Sequence, residues 1–163
     1  MMEIKDFTKS DVFDFECRTT IWGDELGIGV DCDGSSLEDM LPMINRLTEF
    51  LEQNKKKVVA ALVEDDFLSL AEDWASSAEE AEDSTEENEC YIMEDGTRVY
   101  LPITEEDFAA SLHFDGISVY YDDEQDDISA DVFLVCNPDY FAYHCIEIFV
   151  DGKGNIDVNG LAG

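Results

Sequence analysis

Positive charge is what this chain has least of. Nine lysines and arginines face 41 aspartates and glutamates, a formal net charge of -32 at pH 7. Beyond residue 57 only Arg98 and Lys153 are basic, against 28 acidic residues. A field of that sign repels nucleic-acid phosphate and anionic lipid headgroups and draws in cations. Nucleic acid and membranes are therefore set aside as partners, and a cationic protein is expected.

Other features are scarce too. The longest apolar runs span about six residues, as at 58–63, far short of the roughly 20 a membrane helix needs. The first residues, Met1 to Asp6, lack a basic stretch followed by an apolar one, so a signal peptide is not expected and the cytoplasm is. The five cysteines, at 17, 32, 90, 136 and 145, are odd in number and form no C-x-x-C. Zinc ribbons and redox motifs lose support, and buried, reduced thiols are expected. No glycine-rich phosphate loop, G-x-S-x-G or H-E-x-x-H occurs.

Apolar residues are not scarce. They make up 45% of the chain, with 11% aromatic, which separates this protein from disordered acidic chains. Residues 12–22 alternate, with Phe13, Phe15, Cys17, Thr19 and Ile21 on one side, and read as a strand. Residues 26–32 read as a second strand, making a hairpin. Ser35 or Ser36 opens a helix carrying Met40, Leu41, Ile44, Leu47, Phe50 and Leu51 at helical spacing. Lys55, Lys56 and Lys57 fall where the C-terminus of that helix would favour cations. A second helix is expected over about 58–74. Residues 76–89 hold seven carboxylates and no basic residue. Their second half, 83–89, reads as a solvated loop.

Asp95-Gly96 between two apolar runs predicts a hairpin. Thr104 then caps a short helix whose first turn is Glu105, Glu106 and Asp107. Strands follow over 113–121, 131–136, 143–150 and 156–158, the last two joined by a turn at 151–155.

The order Thr104-Glu105-Glu106-Asp107-Phe108, Ile117-Ser118-Val119-Tyr120-Tyr121, Tyr143-His144-Cys145-Ile146 and a closing Ala162-Gly163 resembles an uncharacterised bacterial domain family of unknown function. That family carries a T-E-E-x-F helix, a G-H-x-I-x-V strand and a terminal Ala-Gly. Here Tyr143 stands where the family has Gly, and residues 122–130 look longer than its turn. The family is similar in kind to predicted immunity proteins of bacterial toxin systems. The resemblance implies no activity and no catalytic residues.

The candidates for chemistry are few. His144 and Cys145 are neighbours in a strand and point to opposite faces, so they do not pair as base and nucleophile. Residues 151–162 fail as a calcium loop, because Lys153 and Ala162 occupy ligand positions. The run Asp122, Asp123, Glu124, Asp126 and Asp127, with Tyr120, Tyr121, Tyr140 and Tyr143 nearby in sequence, is the candidate partner surface, since aromatic anchors ringed by charge are typical of interface hot spots.

The expectation is one α+β domain over 1–163, with a mixed, mainly antiparallel sheet and two to three helices packed on one face. A subdivision into 1–75 and 90–163, joined by an acidic connector at 76–89, is the alternative. The function expected is that of a non-enzymatic acidic binding protein, in concrete form an immunity protein or inhibitor for a basic toxin. No catalytic, cofactor or metal site is expected. A metal-dependent hydrolase built on clustered carboxylates is one alternative, and a charge serving only solubility is another.

Overall fold

The computed structural model describes every residue from Met1 to Gly163. Its centre is a seven-stranded sheet. In chain order the strands are β1 (Thr8–Lys9), β2 (Phe15–Ile21), β3 (Asp24–Asp31), then, after a long crossover, β7 (Leu112–Asp122), β8 (Asp127–Cys136), β9 (Cys145–Asp151) and β10 (Ile156–Ala162). The spatial order is β1-β2-β3-β7-β8-β9-β10. Every pairing is antiparallel except β3 with β7.

That parallel pair joins the two halves of the chain in one sheet. A buried cluster of 35 residues likewise runs from Phe7 to Val150. Residues 1–75 and 90–163 thus share one sheet and one buried cluster, and the segment 76–89 between them contributes a strand of its own. Glu79–Glu80 form β4, which pairs with β5 (Cys90–Ile92), and β5 pairs with β6 (Arg98–Tyr100) around the Asp95-Gly96 turn. Asp83, placed in a solvated loop by composition, is tied to Arg98 at 2.8 Å.

The crossover also holds four helices: α1 (Leu37–Gln53), α2 (Lys55–Glu64), α3 (Phe67–Ser76) and α4 (Glu105–Ser111). Ser36 caps α1 by accepting from the Asp39 N–H, and Thr104 caps α4 by accepting from the Asp107 N–H. Met40, Ile44, Leu47 and Leu51 form the buried stripe of α1. The single helix expected over 58–74 is two, because Asp66 adopts a left-handed conformation (φ 63°) that no helix interior accommodates. The lysine triplet opens α2 and does not close α1. There the helix dipole disfavours cations, and two of the three find aromatic faces: Lys55 Nζ lies 5.0 Å from the Trp22 ring and Lys57 Nζ 5.7 Å from Phe50.

From Ala130 onward sheet burial alternates on β8: Ala130, Val132 and Leu134 are buried, while Asp131, Phe133 and Val135 are half-exposed. The same period holds on β9, where Ile146, Ile148 and Val150 are buried. One face of the sheet therefore carries the core under the helices, and the opposite face is left to solvent. That opposite face decides the placement of the site.

Candidate functional site

The hairpin between β7 and β8 was the conspicuous acidic run, and the structure gives most of its carboxylates internal work. Asp122 Oδ1 accepts from the Glu124 N–H at 3.0 Å. Asp126 accepts from the Tyr121 hydroxyl, whose ring packs against the core. Asp127 accepts from Arg46 of α1 at 2.7 and 2.9 Å and from the Ile128 N–H at 2.8 Å. Its carboxylate also fills the space above Gly152, where an added Cβ would sit 2.2 Å from Asp127 Cγ. Asp127 is thus a clamp between α1, this hairpin and the β9–β10 turn. Asp123 and Glu124 are exposed.

The aromatic candidates separate. Tyr140 is 3% exposed and packs between Phe108 and Phe141; burial pushes its phenol up to about 12. It belongs to the core and cannot anchor a partner. Tyr143 is 70% exposed, in the turn that follows β8. The acidic hairpin precedes β8, so about ten strand residues, roughly 33 Å, lie between the two. Tyr120 alone of the four is half-exposed on the open sheet face. Burial first, then the Asp131 and Asp122 carboxylates, raise its phenol above the ordinary value.

A larger acidic surface forms where no run exists in the sequence. Strand register lines up two rows across the open face. One row reads Arg18, Gly27, Gly116, Phe133, Glu147, Gly160. Beside it run Glu16, Gly29, Ser118, Asp131, Phe149 and Asp157. Glu25 and Asp31 share this face by the period-two rule. Six carboxylates thus meet one cation in the body of the face, Asp122 and Asp151 continue it in phase at the hairpin end, and Arg18 is already paired with Glu25 at 2.7 Å. Burial alone raises the Asp131 carboxyl above the usual range.

The rows also enclose a trough of about 710 Å³ over Gly27, Gly29 and Gly116, bordered by Phe13, Phe133, Ser118, Glu16 and Asp6. Phe13 folds back over Gly29, where an added Cβ would lie 2.3 Å from its ring. The alternating pattern had placed Phe13 with Phe15 and Cys17 on the buried side. It precedes β2 and its ring lies on the other face, at one wall of the trough.

The nucleophile and metal candidates do not assemble. His144 Nδ1 lies 2.8 Å from the Phe141 carbonyl, and its ring packs on Trp74. His113 Nδ1 lies 2.9 Å from Asp24 Oδ1. Burial pushes the Cys136 thiol up to about 12 and Cys17 to about 11, so neither is a ready thiolate. No three His, Cys, Asp or Glu side chains converge in a way that could hold a metal ion. No helix is long and apolar enough to cross a membrane.

A family description, "Uncharacterized protein conserved in bacteria (DUF2262)", matches residues 6–161. The chain belongs to this family. The match spans the whole sheet from β1 almost to the end of β10, so the open face and its trough lie within the family's shared region. No curated protein and no solved structure matches the chain.

Proposed function

We propose that this DUF2262 protein is a non-enzymatic binding protein whose open sheet face docks a cationic protein. The observation that carries the reading is the charge balance of that face: Glu16, Glu25, Asp31, Asp131, Glu147 and Asp157 against Arg18 alone. These acids alternate with Phe133, Phe149 and Tyr120, which lie half-exposed among them. Desolvated aromatics near the centre of a charged surface are where binding energy concentrates. Seven strands spaced about 4.8 Å apart and some seven residues long give a face on the order of 800 Å², the area one partner contributes to a standard interface.

The surface is broad and its carboxylates far outnumber its one cation. It suits occlusion of a basic partner, with carboxylates standing where nucleic-acid phosphate would bind. Inhibition of a basic toxin, as by an immunity protein, is the concrete form of this reading. Long-range attraction would speed association at low salt and fade as salt rises.

The test is capture of the partner from the native bacterium, followed by hydrogen-exchange mapping of the complex. The reading expects a basic protein released by salt, with protection at 27–31, 116–120 and 131–133. A neutral or acidic partner, binding indifferent to salt, or protection confined to the helical side would overturn it.

A further inference from the structure

The trough on the open face holds space that the fold itself does not require. An alanine Cβ at Gly27 would meet nothing closer than Arg18 Nη1 at 3.9 Å, and at Gly116 nothing closer than the Gly27 carbonyl at 3.7 Å. Neither residue has a positive φ, so ordinary strand residues fit both positions. Glycine in a strand interior forfeits packing and chain stiffness, and commonly marks a place where another group approaches the backbone closely. What these two leave is the floor of a cavity of about 710 Å³.

The walls say what would fill it. Phe13 and Phe133 offer aromatic surfaces, and Glu16 and Asp6 offer carboxylates. Arg18 also borders the trough, but Glu25 already neutralises it. A planar cation matches that set: it lies flat on a backbone floor, stacks on aromatic rings and pairs with carboxylates through two parallel N–H bonds. Lysine also sits over aromatic rings, as Lys55 and Lys57 do in this protein, but its compact, strongly hydrated ammonium has no planar face to lie on the floor and no fork for paired N–H bonds to one carboxylate. A second copy of this chain is disfavoured by its charge of -32.

Resting on the docking-face reading, we propose that the trough receives an arginine side chain of the cationic partner, its guanidinium lying over Gly27 and Gly116 and pairing with Glu16 or Asp6. The rest of the face supplies general attraction, and the trough supplies the choice of arginine over lysine.

The test uses two fluorescent peptides of equal charge, identical except that one carries arginines where the other carries lysines, titrated by anisotropy at low salt. The wild-type protein should bind the arginine peptide at least about threefold more tightly. Gly27→Val with Gly116→Val should erase that preference while leaving the lysine peptide's affinity unchanged. Gly116→Ala alone is the milder filling variant if the double change unfolds the sheet, and it should reduce the preference. Equal affinity of wild type for both peptides, or a preference that survives filling, overturns the trough assignment while the docking-face reading stands. Failure of both peptides to bind at low salt overturns the two together.

Discussion

Asp131 lies on β8 between Ser118 and Phe149, on the face where the partner is proposed to dock. Burial raises its carboxyl above the ordinary value. The sign of the consequence follows from proton linkage. A raised acid binds its proton more tightly in the folded state, so its contribution to stability is complete below the unfolded pKa and is lost as pH rises through the folded one. Asp131→Asn should therefore raise the thermal midpoint at pH 7 and leave it nearly unchanged near pH 3, read by circular dichroism. A gain that persists at low pH would point to packing in place of ionisation. Tyr140 and Tyr143 show what single residues conceal in sequence. Both are tyrosines in one short loop, yet one is core and the other solvent, because the Pro138–Tyr143 turn folds Tyr140 and Phe141 inward against Phe108, Phe67 and Trp74.

Elements were legible where local chemistry sets them. The Asp95-Gly96 hairpin, the 151–155 turn and the caps at Ser36 and Thr104 all appear as their residue types dictate. The 151–155 turn is held by Asp151, whose side chain accepts from the Lys153 and Asn155 N–H groups. The break at Asp65-Asp66 was not legible, since the apolar stripe continues through it and only the left-handed φ of Asp66 reveals the bend. Nor was the role of Asp127, which depends on Arg46 and Gly152, distant in the chain. Because Asp127 ties three elements while Asp123 is exposed, the two should differ. Asp127→Asn should cost roughly 0.5–1 kcal/mol in urea unfolding, the range for a partly exposed ion pair, and Asp123→Asn should cost nothing measurable. Equal effects would show that the clamp contributes little.

Across the whole molecule, fold class followed from strand and helix order, but the sheet's closure did not. The parallel pairing of β3 with β7 joins Gly27 to Gly116 and carries no local signal. The face it creates was hidden for the same reason. Its carboxylates sit on alternate residues of separate strands, so no stretch of sequence looks unusually acidic, whereas the dense run at 122–127 does. Density along the chain and density on the surface are different quantities here. In the proposed docking it is the surface density that matters. Two variants that each remove three charges separate the cases: Glu16→Gln, Asp131→Asn and Asp157→Asn on the face, against Asp123→Asn, Glu124→Gln and Asp126→Asn on the hairpin. With the arginine peptide at low salt, the face variant should lose at least about tenfold in affinity and the hairpin variant no more than about twofold, since close charge pairs dominate binding over remote ones. Equal losses, or a larger loss from the hairpin, would contradict the claim.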